Sequence, residues 1–310
     1  MDPARLPSFS LRQLLYFVTA AESGTIRAAA ARLHVAESAV SVALTELERA
    51  VDAQLVVRRR AHGVTLTPSG RTTLRLAKAL LHQARELEEE TAGEGAALTG
   101  PLAIGCYPML GPSSLPRLLS GFAGLHPGVT VDFHEDTQDR LHRRLADGEL
   151  DLAIMYDLDL PESLPRTELD RRVPHVLLPP DHALARGPLD LRDLEPEPMV
   201  LLDAPPSTNH ALAVCAQAGI RPSIRYRTVN FETARALVGR GLGWTLLVTL
   251  PSSPVTYEGL EVVTLYPDYP VLDPVRVVLT WPDDARLSRR AREFLRFAAG
   301  HTSENPRSLP

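Results

Sequence analysis

Lysine is almost missing from this chain. Lys78 is the one lysine among 33 basic residues. Together with abundant alanine and proline this reflects base composition, and it carries no functional signal. Cysteine is nearly as scarce: Cys106 and Cys215 stand far apart. A disulfide framework and a cysteine zinc site are both excluded by that count and spacing. No apolar run approaches the ~20 residues that a membrane-spanning helix needs. Met1–Ser10 is polar and proline-bearing, without the apolar stretch of a signal peptide, so a cytoplasmic location is expected. A large charge of either sign is also lacking. The formal net charge is -5, so any nucleic-acid contact must rest on a local basic region.

Catalytic signatures are missing as well. There is no G-x-S-x-G, no phosphate-binding glycine loop, and no recognisable His and Cys pairing. Gly239-Arg240-Gly241-Leu242-Gly243 follows a helical pattern and precedes a strand pattern, the reverse of a dinucleotide fingerprint, so it reads as a helix stop. The scattered histidines show no metal-ligand spacing, and His34 reads as a turn residue. The expectation is a protein that is not an enzyme, with no catalytic residue, cofactor or metal. With 310 residues, 44% of them hydrophobic, the chain has the material for two or three packed domains.

The first seventy residues read as short helices followed by a hairpin. Leu11, Leu14, Leu15 and Val18 recur at helical spacing behind Ser10, a capping residue, and Gly24 stops them. Thr25 caps a second, alanine-rich helix over Ile26–Leu33. After His34-Val35-Ala36, a third helix spans Glu37–Ala50, with Val40, Leu44 and Leu47 on its inner face. Two β-like runs, Leu55–Arg58 and Val64–Thr67, flank a wing-sized turn. The small side chains of Ala28–Ala31 allow the close helix crossing of a helix-turn-helix, and Glu37, Ser38, Ser41 and Thr45 would face the major groove. Spacing alone leaves an ordinary helical hairpin open beside a DNA-binding element. Arg58, Arg59, Arg60 and His62 form a basic point suited to phosphate or minor groove, or else a solvated charge run.

A long helical stretch runs from Thr67-Pro68-Ser69-Gly70 to about Glu90. Leu74, Ala77, Leu81 and Ala84 form one apolar stripe; Leu76, Leu80 and Leu87 form its neighbour. So wide a face predicts burial against a second chain, with Leu74, Leu81 and Leu87 as dimerisation residues. From Leu102 strands and helices alternate as βαβαβ, the mark of a parallel sheet. Further strands are expected at His175–Leu178, Met199–Leu202, Ile224–Thr228, Trp244–Val248, Leu260–Leu265 and Val275–Leu279. Helices are expected at Asn209–Ala218, Phe231–Gly239 and Arg286–Ala299. Ligands of such sheets sit beyond the strand ends, near helix N-termini. That singles out Tyr107, Met109, Ser113 and Tyr156 on one side, and Ser207, Thr208, Asn230 and Phe231 on the other. Each of these also has a plain reading as a cap or loop residue. Ser113 is expected to open a helix, and few fixed charges are expected at the centre.

The motifs Leu11-Arg12-Gln13-Leu14-Leu15-Tyr16-Phe17, Ala21-Glu22-Ser23-Gly24-Thr25-Ile26, Ser38-Ala39-Val40-Ser41, Leu47-Glu48, Gln54-Leu55 and Leu66-Thr67-Pro68-Ser69-Gly70 resemble those of LysR-type transcription regulators. The resemblance is dense over the first ninety residues and looser to near residue 298. It implies an α/β fold class: an N-terminal winged helix-turn-helix (1–67) and linker helix (68–92), then a two-lobed, periplasmic-binding-protein-like effector domain (93–300), with a flexible tail (301–310). Lobe I would hold about 100–162 and 272–300, lobe II about 168–268, with crossings near Leu160–Leu169 and Asp268–Pro274. The implied function is sequence-specific regulation of transcription under a small-molecule effector, a small carboxylate or hydroxylated aromatic. The implied partners are a double-stranded DNA operator and further copies of the chain, as a dimer of dimers, with no membrane. A solute-binding protein of the same two-lobed fold is the alternative. Ala36-Glu37-Ser38 stands where the family usually has Ser-Gln-Pro. Val42 and Ala43 replace polar residues, and Arg27 lies one position before the family's usual arginine, still as a DNA-binding candidate. Some members sense peroxide through a cysteine pair; Cys215 falls at the second position of that pattern, but Pro206 stands near the first. Buried structural thiols are therefore expected.

Overall fold

The computed structural model describes residues 6–59, 63–91, 97–283 and 287–301. It divides into two compact units, Met1–Ala97 with Arg143–Leu150, and Leu98–His142 with Asp151–Pro310. Among the described residues, no helix is long and apolar enough to cross a membrane.

In the first unit, α1 (Leu11–Ser23), α2 (Ile26–Leu33) and α3 (Glu37–Ala50) precede the hairpin β1 (Val56–Arg59) and β2 (Gly63–Leu66), and α4 (Pro68–Thr91) follows. Local chemistry sets each boundary. Ser10 and Gln13 form a reciprocal capping box, and Gly24 ends α1 in the left-handed conformation. Thr25 accepts from the Ala28 amide at 3.1 Å. His34 takes a left-handed φ of 54° to close α2. The Glu48 carboxylate accepts from the Leu55 and Val56 amides at 2.8 and 3.0 Å, which fixes the strand that leaves α3. Thr67 then caps α4 by accepting from the Gly70 amide at 2.9 Å. A side chain at Gly70 would lie 2.0 Å from the Leu55 carbonyl oxygen, so the Thr67-Pro68-Ser69-Gly70 motif is a helix start pressed against a strand. Phe17, Ala29, Val40, Leu44, Leu47 and Leu55 form the core of the unit.

The α4 stripes divide the work. Ala77 is buried, and Leu74 and Leu81 pack against the helix-turn-helix core. Leu76, Leu80 and Leu87 are exposed. Leu74 and Leu81, expected as dimerisation residues, are thus half-buried within the chain, and the neighbouring stripe is the one that faces outward.

The second unit opens with β3 (Gly100–Cys106), α5 (Gly111–Leu125), β4 (Val129–Glu135), the start of α6 (Gln138–Ala146), which passes into the first unit at Arg143, and β5 (Leu152–Tyr156). Next come β6 (Arg166–Arg172), β7 (His175–Leu178), β8 (Pro198–Leu202), α7 (Ser207–Gln217), β9 (Ser223–Thr228) and α8 (Phe231–Gly239). The chain closes with β10 (Thr245–Leu247), β11 (Val263–Leu265), β12 (Val275–Thr280) and α9 (Arg289–Gly300). The first lobe is built on a five-stranded sheet of order β4-β3-β5-β12-β6. β3 runs parallel to β4 and β5, as the alternating pattern predicts, while β12 runs antiparallel to β5 and β6. The second lobe carries the sheet β10-β7-β11 and the parallel pair β8-β9, packed around Trp244, Met199, Leu201 and Val214.

Two expectations change. β6 pairs with β12 in the first sheet, so the first lobe extends to Arg172 and not to 162. The first crossing is therefore Val173-Pro174 and not Leu160–Leu169. The second lies after Tyr269, whose carbonyl still accepts from Leu191 in the second lobe, and before β12.

Candidate functional site

Two surfaces collect the candidate residues, one in each unit. On the first, Arg27 is exposed at the start of α2, and Glu37 and Ser38 are exposed in the first turn of α3. Thr45 is exposed two turns on, and its hydroxyl donates to the Ser41 carbonyl at 3.1 Å. No side chain caps α3 at Ala36, so Glu37 also meets the helix dipole as the acidic residue of the first turn. The wing is anchored to α1. Val64 donates to the Gly24 carbonyl at 2.7 Å, and Gly63 holds a φ of +75° with space for no side chain, since a Cβ would sit 2.2 Å from that oxygen. Arg58 and Arg59 are on β1; Arg60 and His62 lie outside the described residues.

On the second surface, a cleft of about 940 Å³ lies between the two lobes of the second unit. Met109, Ser113, Asn230 and Phe231 line it, and Tyr107, Tyr156, Ser207 and Thr208 do not. The reason is a set of direct bonds between the lobes. Tyr107 Oη donates to the Ala204 carbonyl at 2.7 Å and lies 3.2 Å from Ser207 Oγ. Thr249 donates its proton to the Met109 carbonyl at 3.2 Å, so Tyr156 is the donor in its bond to the Thr249 hydroxyl. Asn209 donates to Asp159 at 3.2 Å. Thr208 is buried and donates to the Leu202 carbonyl at 3.1 Å. These contacts occupy Tyr107, Tyr156, Ser207 and Thr208, while Val173 and its neighbours Arg171 and Arg172 line the cleft.

Ser113 does not open a helix. α5 starts at Gly111, and the Ser113 hydroxyl donates back to the Leu110 carbonyl at 3.1 Å. Asn230 does cap α8, accepting from the Thr233 amide at 2.9 Å. Nor is the cleft poor in charge: Glu135, Arg171, Arg172, Glu232 and Arg235 all line it. Arg172 is held by Asp170 at 2.7 Å and reaches Ser113 Oγ at 3.4 Å. Arg171 pairs with Glu168 and stays exposed. Arg235 is buried, pairs with Glu232 at 2.6 Å and donates to the Ser253 and Val255 carbonyls. Arg171 and Arg172 escaped notice because Arg166–Arg172 reads as a charged connection when its partner strand is unknown.

Burial tunes the groups under the cleft. His175 stacks edge-on to Tyr266, a lining residue, with ring centroids 6.0 Å apart. Desolvation, with the nearby Arg235 charge, brings its pKa down to about 4 despite a hydrogen bond to Val173. Burial also pushes the Cys106 thiol up, and brings Cys215 up to about 11. Cys106 is on β3 in the first lobe and Cys215 is on α7 in the second, and both are free and buried.

Two family models match the chain. "Bacterial regulatory helix-turn-helix protein, lysR family" covers residues 11–71, and "LysR substrate binding domain" covers residues 95–303. A probable hydrogen peroxide-inducible genes activator of Mycobacterium avium is 35% identical over 78% of each chain. The C-terminal domain of a probable LysR family transcriptional regulator from Rhodococcus sp. RHA1 is 54% identical over 65% of this chain and 99% of that one, with a TM-score of 0.64. HinK, a LysR family transcriptional regulator of Pseudomonas aeruginosa, is 34% identical over 96% of this chain and all of its own, with a TM-score of 0.63. A helix-turn-helix joined to the two-lobed unit does not favour the solute-binding alternative.

Proposed function

We propose that this chain, which belongs to the LysR family of transcriptional regulators, reads duplex DNA with α3 and the β1-β2 wing and answers to a small molecule held between its two lobes. The carrying observation is the cleft of about 940 Å³, a volume that suits a small organic ligand. No covalent step is needed. An effector that binds one arrangement of the lobes more tightly than another shifts the population between them.

In this reading residues 1–67 bind DNA, 68–92 link and dimerise, and 93–300 hold the effector. A carboxylate-bearing, hydroxylated aromatic is the class that fits. Phe231 and Tyr266 offer ring faces, and the Arg171 guanidinium and the first turns of α5 and α8 favour negative charge. Glu135 accepts a hydrogen bond from the ligand hydroxyl. The exposed stripe Leu76, Leu80 and Leu87 joins α4 to the same helix of a second chain, and two such dimers make the tetramer.

Calorimetry with a panel of small aromatic acids tests the cleft. Arg171→Ala and Phe231→Ala are each expected to weaken a binding acid at least tenfold, while the fold, followed by circular dichroism, stays intact. Unchanged affinity in both variants places the effector elsewhere.

A further inference from the structure

The helix assigned to the major groove lacks the long hydrogen-bonding side chains that read base edges, and a methyl-bearing residue stands at the middle of its exposed face. Val40, Ala43, Leu44 and Leu47 of α3 are buried. The opposite face presents Ser38, Ala39, Val42 and Thr45. Between Glu37 and Glu46 there is no Arg, Lys, Asn or Gln, the side chains that read guanine and adenine edges. Glu46 is held by Gln13 Nε2 at 2.9 Å, and the Thr45 hydroxyl proton is spent on the Ser41 carbonyl.

Val42 is 55% exposed at the middle of this face. A single exposed valine is ordinary on a protein surface. Here it lies one turn from Ser38 and Ala39 on one side and from Thr45 on the other, so the small residues form one strip. A β-branched residue is also a poor choice for an exposed helix position, where alanine or a long polar side chain is favoured. Val42 and Ala39 are the apolar members of that strip, and an apolar side chain in the major groove has one apolar feature to meet, the 5-methyl group of thymine.

We propose that Val42 is a specificity-determining residue that recognises a thymine through its 5-methyl group, with Ala39 and Thr45 extending the contact. The inference rests on the reading that α3 enters the groove. Specificity of this kind favours operators with thymines at fixed positions under each α3, and it tolerates Glu37 because no phosphate need be approached there.

The test starts from a duplex selected by the full-length protein from a randomised pool. Each thymine is replaced in turn by deoxyuridine, which removes the methyl group and keeps every hydrogen bond. Wild type should lose about fourfold in affinity at one or two positions, the cost of returning one methyl group to water. Val42→Ala, which leaves the helix intact, should bind the thymine and uracil duplexes equally. A wild type indifferent to every replacement, or a Val42→Ala variant that keeps the same sensitivity, overturns the proposal. Val42→Glu separates this from the broader reading. Loss of specific binding by Val42→Glu, with a flat methyl series in wild type, removes only the thymine contact. Full binding by Val42→Glu removes α3 from the groove.

Discussion

His175 is a fully buried histidine with a strongly lowered pKa. The unfolded chain therefore binds a proton near pH 6.5 that the folded chain refuses until about pH 4. Its contribution to stability is present above the unfolded value and is lost as pH falls from about 6.5 to about 4. The loss should be on the order of 3 kcal/mol, read from urea melts at pH 4.5 and 7, and His175→Gln should flatten that dependence. The thiols behave differently. Both cysteines are buried with raised pKa values, so little thiolate is available at neutral pH. Cys106→Ala with Cys215→Ala should retain full DNA binding. Peroxide-dependent binding by wild type that this variant lacks would show the thiols to be the sensor.

Among the elements, α4 carries the clearest division of labour. Leu80→Asp with Leu87→Asp should give smaller species by sedimentation, with a melting temperature that no longer depends on protein concentration. Leu74→Asp should instead lower the melting temperature, because it buries charge against the helix-turn-helix core. The two stripes could not be told apart in the sequence, since both are leucine-rich and only the docking of α4 on α1 decides which is inside. Elements that rest on local chemistry were legible: Ser10, Thr25 and Thr67 set their helix starts by their own bonds, and Gly24 ends α1 by its left-handed backbone. β6 was not legible. Arg-Thr-Glu-Leu-Asp-Arg-Arg has no apolar alternation, and its identity as a strand depends on β12, which comes much later in the chain. The cleft was half legible for the same reason. The loop after the first strand marked Met109 and expected helix starts marked Ser113, Asn230 and Phe231, while the bonds of Tyr107 and Tyr156 to the opposite lobe are tertiary and leave no local trace. Gly63 belongs at this scale too: Gly63→Ala strains the wing against the Gly24 carbonyl and should cost about 1–3 kcal/mol, seen as a lowered melting temperature and weakened operator binding.

For the molecule as a whole, DNA affinity should fall steeply with salt. Each phosphate contact contributes about 0.9 to the logarithmic slope, so changing Arg58, Arg59 and Arg60 to alanine should flatten a gel-shift salt titration while weakening all sequences alike. An effector at a hundred times its dissociation constant should stabilise the fold by about 2.7 kcal/mol. The late return of β12 has a consequence of another kind, for how the protein is made. β5 and β6 leave the ribosome long before the strand that pairs with both of them, and the whole second lobe is synthesised in between. Until residue 280 has emerged, the first lobe exposes unpaired strand edges of the sort that seed aggregation. A nascent chain stalled before β12 should therefore be a chaperone client, and one stalled after α9 should not.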